Sequence, residues 1–454
     1  MQNTFRYSEP MQNLERLVNL LSSFGNGRAE MPVKTLLAEL SIPVSSGYKL
    51  IGALVGEGFL ERREHGVVAL GPAASAFLFA SVKALPASES AAAFSVATAA
   101  GFGGRLSSRM TQWTPTLLDL VSTTRYRKAP PFTIGFLNAS TSSPWRRAME
   151  GSLKAAALRQ RGVVSHLLVR NAEDDPGRQV EQLAEMERAG VDLCILSAAS
   201  VSDTGLAGAV HRLSESGMPI VGVDRQCGDP RDLVSFVTAS DVLVGRMSAL
   251  WLAEHLGGKG KVLMLCGRED ASPCKVRLQA AMEIFSLHPG IDIVAVEFTN
   301  WEADVGFDTV KRHLAAGVVP DGVWCDSGLQ GAGSLRAFRD AGYKRGTVPP
   351  HTGSEINLTY KLAFQDKVPL CGVDYPAAMG ALSFQTALDI LFGRQVPRRL
   401  ESNLEIIVSR GHETPSVRAD YFIEERVRWD RDDNYVHASG WIPGASHDDK
   451  DFFS

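Results

Sequence analysis

The sequence predicts an α/β protein whose body has two lobes built on parallel sheets and whose N-terminus carries a small helix-rich domain. From Phe132 onward, short apolar runs alternate with amphipathic stretches for about 280 residues, a pattern typical of parallel sheets wrapped by helices. These runs are too numerous for one sheet of ordinary size, so they indicate two lobes with a cleft. Residues 11–72 differ, with three helical stripes followed by two short strand-like runs.

Composition limits the classes of function. A chain of 454 residues predicts two or three domains, and a net charge of -4 gives the whole no basic character. The six cysteines lack CxxC spacing, so we expect buried thiols and no zinc site or disulfide framework. Residues 1–10 are polar and no run of about 18 apolar residues occurs. We therefore expect a cytoplasmic protein with no membrane segment.

The N-terminal domain is predicted from helical spacing and punctuation. A first helix starts near Leu14 and ends at Gly25, and a second covers residues 32–40. A third follows, in which Ser45 or Ser46 can cap the start. Its predicted buried face consists of Tyr48, Leu50, Ile51 and Leu54. Residues 58–63 and 67–70 predict two short strands, and three helices with this hairpin make a winged helix-turn-helix.

Several segments of this domain match one known pattern: Leu14-Glu15-Arg16, residues 36–40, residues 43–50, Leu54, residues 58–62 and Leu70-Gly71-Pro72. On these residues the domain resembles the DNA-binding domain of the IclR family of bacterial transcription factors. The resemblance covers about sixty residues and implies a third helix in the major groove and a wing along the backbone. It places these side chains near DNA: Ser45, Ser46, Tyr48, Lys49, Arg62 and Arg63.

The charge of this domain departs from that of a strong DNA binder. Residues 11–72 carry six basic and six acidic side chains, which predicts weak binding by one copy. A homodimer would let two modest heads bind two half-sites of an operator. A winged helix used for protein contacts is the alternative. Residues 73–131 are rich in Ala, Ser, Gly and Thr and predict a linker, with helix-like pieces at 74–85 and 116–122 that fit dimer contacts.

The body is predicted element by element from its apolar runs. Three of the intervals between runs have clear helical patterns, at residues 145–161, 177–190 and 241–256. The strand candidates are residues 132–138, 166–170, 192–196, 219–223, 261–266, 291–298, 322–325, 369–373 and 404–408.

One of these runs ends in a carboxylate followed by a guanidinium. Residues 219–223 are apolar, and Asp224 and Arg225 follow directly. Ligands of open parallel sheets bind beyond the carboxyl ends of the strands, so this pair is positioned to bind vicinal hydroxyls. A structural ion pair or an exposed turn fits the same residues.

A set of weak marks runs through residues 132–410: Pro144-Trp145, Glu150-Gly151, residues 223–226, Ala239-Ser240-Asp241, Gly245, Gly267, residues 272–277, residues 335–338, Ala341-Gly342, Asp374, Pro376 and Gly380. Taken together, these residues resemble the type 1 periplasmic-binding-protein fold. The likeness is to the ribose-binding group, whose fold also forms the sensor of lac-repressor-type regulators. The resemblance implies two lobes that close on a small ligand.

The resemblance also implies ligand contacts, which are carried over position by position. Trp145 and Trp301 become facing aromatic walls, and Asp224 and Arg225 bind hydroxyls. Core packing is the alternative for both tryptophans. At the remaining positions the chain departs from the family: Lys275 replaces an arginine, Ser327 an asparagine and Asp374 a glutamine, and Glu355 is the carboxylate candidate within residues 354–357.

These departures add oxygen acceptors, which favours a polyhydroxylated or cationic small molecule over a copy of the ribose site. For Lys275, Glu355 and Asp374, a solvated surface position fits equally well.

No catalytic motif is present: the sequence lacks a Walker A loop, a GxSxG elbow and a GxGxxG between a strand and a helix. We therefore expect no enzyme, no cofactor and no metal. The predicted function is a ligand-responsive transcription regulator that binds an operator and senses a sugar or polyol. The alternative is a solute-binding protein whose winged helix contacts protein. The expected organisation is a flexible N-terminus (1–10), the winged helix-turn-helix (11–72), the linker (73–131), the ligand-sensing domain (132–410) and an acidic tail (411–454).

Overall fold

The computed structural model describes residues 30–40, 42, 44–56, 59–63, 66–70, 114–115 and 120–437. The chain divides into two compact units. The described residues up to 70 belong to the first unit, and residues 114–115, 120–414 and 419–437 belong to the second. The first helix predicted for the N-terminal domain lies outside the described residues.

The first unit contains a helix pair and a small antiparallel sheet. Strand β1 (Glu30–Pro32) precedes helices α1 (Val33–Glu39) and α2 (Val44–Gly56). The predicted hairpin follows as strands β2 (Leu60–Arg62) and β3 (Val67–Leu70), and the sheet has the order β1-β3-β2. Strand β1 was not expected, because three residues ending in proline leave no alternating pattern.

Two details of the third predicted helix need correction. Helix α2 begins at Val44, so Ser45 and Ser46 lie inside its first turn and do not cap it. Tyr48 is 39% exposed and is therefore not part of the core. The buried side of the unit is formed by these residues among others: Leu36, Leu37, Ile51, Leu54, Leu60 and Val68.

The second unit alternates strands and helices in the predicted manner. Its strands are β4 (Thr114–Pro115), β5 (Leu120–Val121), β6 (Phe132–Asn138), β7 (Val164–Asn171), β8 (Leu193–Leu196), β9 (Ile220–Val223), β10 (Ser235–Ala239), β11 (Lys259–Cys266), β12 (Gly290–Phe298), β13 (Gly322–Cys325), β14 (His351–Thr352), β15 (Leu370–Asp374), β16 (Val396–Pro397), β17 (Arg399–Ser402), β18 (Glu405–Val408) and β19 (Tyr421–Phe422).

Its helices are α3 (Pro144–Leu158), α4 (Pro176–Arg188), α5 (Thr204–Glu215), α6 (Asp241–His255), α7 (Ser272–Ser286), α8 (Ala303–Ala315), α9 (Gly328–Asp340), α10 (Asn357–Asp366), α11 (Met379–Leu391) and α12 (Ile423–Arg426). Side-chain caps define the start of two of these helices. Ser143 accepts a backbone N–H of α3, Asp175 accepts one of α4, and a proline follows each of the two caps.

Within the described residues the strands form two seven-stranded sheets, one in each lobe. The first lobe has the order β4-β17-β10-β9-β8-β6-β7, which is parallel except where β4 meets β17. The second lobe has the order β12-β11-β13-β14-β15-β18-β19, which is parallel except between β15 and β18. Strands β16 and β5 form a separate antiparallel pair. Two sheets with helices on their faces confirm the predicted fold class.

The chain passes between the lobes three times in this part of the structure. The passages follow β10, β15 and β17, and they lead into α6, α11 and β18. Helix α11 returns to the first lobe and packs on α3. At this contact a Cβ on Gly380 would overlap the Met149 carbonyl oxygen, so the close approach of the two helices needs glycine.

All nine predicted strands are present, with ends within about two residues of those expected. Strands β10 and β14 were missed because polar residues interrupt their apolar pattern. Their polar groups find partners inside the fold: Ser235 donates to the Pro397 carbonyl at 2.7 Å, and Thr352 donates to the Cys325 carbonyl at 2.8 Å.

Two predicted segments have different structures from those expected. Residues 120–121, placed in a helix-like piece of the linker, form strand β5, and β4 joins the first lobe's sheet, so the body begins before residue 132. Residues 411–414 and 419–437 of the predicted acidic tail belong to the second unit, where β19 extends the second lobe's sheet beside β18. Residues 438–454 lie outside the described part.

The six cysteines are buried and unpaired, as expected. No helix among the described residues is long and apolar enough to cross a membrane. The same residues hold no group of three or more His, Cys, Asp or Glu side chains placed to bind a metal ion.

Candidate functional site

The candidate site lies where the carboxyl ends of the parallel strands of both lobes meet. Asp224 follows β9 directly and is 4% exposed. Its φ of 62° lies in the left-handed region, and its backbone N–H donates to the Val237 carbonyl at 2.8 Å. A non-glycine residue in this region indicates local strain that the surrounding fold maintains.

The partner of Asp224 is Arg146, which sequence reasoning missed. The Arg146 guanidinium donates to Asp224 at 2.5 Å and to the Ser197 hydroxyl at 2.8 Å, and all three side chains are buried. Burial lowers the pKa of Arg146 to about 10, with Arg225 as a second cause. The only sequence signal for Arg146 is its position next to Trp145 at the start of α3.

Arg225 pairs with Asp174 and not with its neighbour Asp224. Its Nη1 lies 2.7 Å from an Asp174 oxygen, whereas its Nε has no partner within the described residues. Asp174 follows β7 in a loop with two positive φ values. The guanidinium of Arg225 also lies over the Trp301 ring, 5.2 Å from its centre, which joins the two lobes through a cation–π contact.

Trp145 stands at the opening of α3 and is largely buried. Its Nε1 donates to the Tyr375 carbonyl at 2.8 Å, and the two rings lie 5.7 Å apart. Because the indole donor is used within the protein, the ring face is what this residue can offer a ligand.

Trp301 is held from the second lobe. It has a φ of 59°, and its Nε1 donates to Asp326 at 3.0 Å. Asp326 also accepts from the Gly267 N–H at 3.1 Å and from the Gln330 amide. A Cβ on Gly267 would overlap the Trp301 ring, so glycine is required for this position of the indole.

Ser327, Glu355 and Asp374 come together at the ends of β13, β14 and β15. Ser327 donates to Glu355 at 2.8 Å, and the Glu355 backbone N–H donates to Asp374 at 2.7 Å. All three are at most 5% exposed, so a solvated surface position is excluded for Glu355 and Asp374.

The structure places Lys275 differently. Its side chain is about half exposed and lies 3.7 Å from Asp270. Arg277, two positions further into α7, is the buried cation: it donates to Asp241 at 2.8 Å and to the Asp326 carbonyl at 2.9 Å. Both basic residues appear in the sequence pattern, and only the helical phase distinguishes them.

Several buried carboxyl groups of the site hold protons more tightly than usual. Burial raises the pKa of Asp241 to about 6, although Arg277 opposes the shift. Burial also raises the pKa of Glu355 to about 8 and that of Asp326 above its ordinary value.

Further contacts join the two lobes at the edge of the candidate site. Asp270 of the second lobe accepts from Ser202 at 2.5 Å and from Ser200, both in the loop before α5. The Gln226 N–H donates to the Ser272 hydroxyl at 3.2 Å. The two lobes therefore contact each other directly at the rim.

The predicted DNA-contact residues lie on α2, on β2 and, for Arg63, directly after β2. Tyr48, Lys49 and Arg62 are exposed, and Arg63 is half-buried with Glu61 at 3.2 Å. The side chains of Ser45 and Ser46 lie outside the described part. The three exposed side chains are therefore accessible to a binding partner.

Two lobes joined by crossovers, with polar side chains of both facing one cleft, define a two-lobed α/β ligand-binding protein. Residues 134–395 match the family described as the periplasmic binding protein domain, more than half of the chain, and the chain belongs to that family. Residues 13–64 match the IclR helix-turn-helix domain.

Similar proteins cover the same body. A xylitol-binding protein of Mycolicibacterium smegmatis is 28% identical over 177 residues, which span 39% of this chain and 50% of that protein. A putative rhizopine-binding protein of Rhizobium meliloti is 25% identical over 259 residues, 53% of this chain and 79% of that protein. A solute-binding protein of Bacillus halodurans, solved with bound myo-inositol, has a TM-score of 0.57 at 18% identity and covers 66% of this chain and 98% of its own.

Proposed function

We propose that the chain is a ligand-responsive transcription regulator that binds DNA through its N-terminal domain and a neutral sugar or polyol through the cleft. The observation that carries the proposal is the presence in one chain of an IclR helix-turn-helix match and a periplasmic binding protein domain. A helix-turn-helix domain is not needed to bind a solute, and a periplasmic binding protein domain is not needed to bind DNA. Their presence in one chain is explained by a regulator that does both.

The chemistry of the cleft supports a polyhydroxylated ligand. A hydroxyl group both donates and accepts, and the cleft offers carboxyl and guanidinium groups from Asp224 and Arg225. Trp145 and Trp301 supply flat ring faces for the C–H side of such a ligand. The similar protein of M. smegmatis is named for xylitol, which belongs to this class.

The proposed mechanism needs no chemical step. A ligand that binds one arrangement of the lobes better than another shifts the population by its difference in affinity. In a homodimer in the cytoplasm, such a shift would change the spacing of two DNA-binding heads and hence the affinity for an operator.

A gel-shift titration on the DNA that flanks the gene tests this function. It is run at about 50 and 200 mM salt, with and without a pool of xylitol, D-ribose and myo-inositol. We expect a salt-sensitive shift that the pool changes.

Lys49→Ala is expected to weaken binding about fivefold on every DNA sequence and to lower the slope of the salt dependence by about one. Lys128→Ala, an exposed lysine of the second unit, is the control and should leave the shift unchanged.

The remaining outcomes separate the alternatives. Binding of a pool member, measured by calorimetry, without a shift on any flanking DNA would favour a solute-binding protein whose winged helix contacts protein. A shift that no pool member changes, together with the absence of heat on mixing, would contradict the proposed ligand class.

A further inference from the structure

The hydrogen bonds around Glu355 do not fit an ionised carboxylate. The Ser354 hydroxyl lies 2.7 Å from the Val373 carbonyl oxygen and also contacts Oε2 of Glu355. A serine hydroxyl has one proton to donate, and a backbone carbonyl can only accept. If that proton goes to Val373, the second contact needs a proton from the carboxyl group. An ionised Glu355 would leave two acceptors pressed together.

We propose that Glu355 is an uncharged carboxylic acid at neutral pH, and that Arg426 sets the pH at which its proton is lost, because Arg426 offsets the negative charge of Asp374 beside Glu355. The second lobe then meets its ligand with a group that both donates and accepts. This inference rests on the proposed function, since it specifies the chemistry of the same cleft. Arg426 and Asp374 are positioning residues in it.

The path from Arg426 to Glu355 is continuous. Nη2 of Arg426 lies 2.9 Å from Oδ2 of Asp374, which is fully buried. Oδ1 of Asp374 accepts the Glu355 N–H at 2.7 Å and the Tyr360 hydroxyl. The charge of Asp374 thus has a cation on one side and two neutral donors on the other.

This arrangement changes the role predicted for Asp374. Two protein donors already occupy Oδ1, and Arg426 occupies Oδ2. Because an oxygen of a carboxylate accepts about two hydrogen bonds, Asp374 has little capacity left for a ligand. Glu355 has more, since its Oε1 accepts only from Ser327 among the described residues.

The other charged groups near Glu355 act in both directions. Its pKa is raised to about 8, mainly by burial and also by the charge of Asp374, whereas the hydrogen bond with Ser354 and the charge of Arg277 oppose the shift. The titratable groups that face Glu355 come from several elements: Arg277 of α7, Asp374 at the end of β15, Tyr360 of α10 and His437, whose backbone N–H donates to the Glu355 carbonyl at 2.8 Å. Arg426 and Glu405 act one step further out, through Asp374.

The protonation state of Glu355 decides whether the site prefers a hydroxyl group or an amine at this position of the ligand. A neutral acid pairs with a hydroxyl group, which donates and accepts in turn, whereas a carboxylate would add attraction for an amine. The structure therefore favours the polyhydroxylated ligand over the cationic one that the sequence leaves open.

Infrared spectroscopy of the full chain tests the inference without any ligand or DNA. We expect the wild type to show a protonated carboxyl band at neutral pH that Glu355→Gln lacks, with a midpoint near pH 8. Arg426→Met should strengthen proton binding tenfold or more, which raises the midpoint by at least about one pH unit. Arg428→Met is the matched control, because Arg428 pairs with Asp430 at the surface, and it should titrate like the wild type.

Two milder variants keep the test valid if Arg426→Met fails to fold, which circular dichroism would reveal. Arg426→Lys retains the charge and should titrate near the wild type. Glu405→Gln removes a carboxylate that shares Arg426, so its midpoint should fall. The inference is overturned if the wild type shows no Glu355-dependent band at neutral pH, or if the Arg426 and Glu405 variants titrate like Arg428→Met. Failure of the gel shift would leave this result intact.

Discussion

The two lobes hold the charged groups of the cleft in different ways. On the first lobe, each buried arginine has a carboxylate partner: Arg146 pairs with Asp224 at 2.5 Å, and Arg225 pairs with Asp174 at 2.7 Å. In each pair, the opposite charge of the partner offsets part of the cost of burying an ion.

On the second lobe, two of the buried carboxyl groups rest on neutral donors. Asp326 accepts from the Trp301 indole at 3.0 Å, and Glu355 accepts from the Ser327 hydroxyl at 2.8 Å. Burial raises the pKa of both. A buried carboxyl group whose own oxygens have no ion-pair partner avoids the cost of burying its charge by taking a proton.

The comparison shows that one site can combine ion-paired groups with carboxyl groups whose protonation state depends on their surroundings. The first lobe presents preorganised charged groups whose geometry its ion pairs determine. The second presents groups whose protonation depends on distant partners such as Arg426. Substitutions should therefore act mainly on stability and geometry in the first lobe and on proton binding in the second.

The largest effect is expected from Asp224→Ala, which leaves Arg146 buried without its partner. Removing one member of a buried pair costs about 3–5 kcal/mol of unfolding free energy. Urea denaturation measures this loss, and any effect of the polyol pool on the gel shift should be lost with it. The control is Asp229→Ala, since the exposed pair of Asp229 with Arg231 should contribute little to the free energy of unfolding. Equal losses in the two variants would contradict the view that the first lobe depends on its buried pairs.

The next effect concerns pH. Glu355 has a pKa of about 8 in the folded chain against an ordinary value of 4.5, so the folded state binds its proton more tightly than the unfolded state. The stability from this proton is fully present below about pH 4.5 and is lost as the pH rises to about 8. Relative to Glu355→Gln, the wild type should lose on the order of a few kcal/mol across this window. The melting temperatures of the two proteins, measured across this pH range, test the prediction. A difference between them that does not change with pH would show that Glu355 titrates normally.

A smaller effect is expected from Gly267→Ala. The added Cβ would overlap the Trp301 ring, and forcing atoms into a packed site costs about 1–3 kcal/mol. Displacement of the indole should also weaken its bond to Asp326 and its contact with Arg225. Denaturation gives the cost, with Gly162→Ala, where a Cβ meets nothing within 4 Å, as the control. If both glycine variants are equally stable, Trp301 does not need the position described.

The smallest effect is expected at the rim. Asp270→Ala removes the acceptor for Ser200 and Ser202, which costs about 1 kcal/mol of lobe closure. Small-angle scattering should show a larger radius of gyration for this variant than for the wild type. The control is Asp292→Ala, a substitution of an exposed residue on β12, and it should leave the radius of gyration unchanged. An unchanged radius for Asp270→Ala would mean that the lobes stay together without this contact.

The sequence predicted the strands well because buried parallel strands need unbroken apolar runs between turns. It failed at β10 and β14, where serine, threonine and histidine find buried partners that no local pattern reveals. The strand-end pattern predicted Asp224 and Arg225 as site residues, and only the resemblance to binding proteins added Trp301, which lies against Arg225. Whether they bind a ligand stays a prediction.

The sequence by itself determined the two-lobed α/β fold, the order of its strands along the chain and the polar residues at the strand ends, because these follow from local periodicity. Only the tertiary structure decided which charges pair. It joined Arg146 to Asp224, placed Arg277 inside and Lys275 at the surface, and brought Arg426 across from the predicted tail to Asp374. Pairing between ions depends on distances between residues far apart in the chain, and those distances exist only after folding.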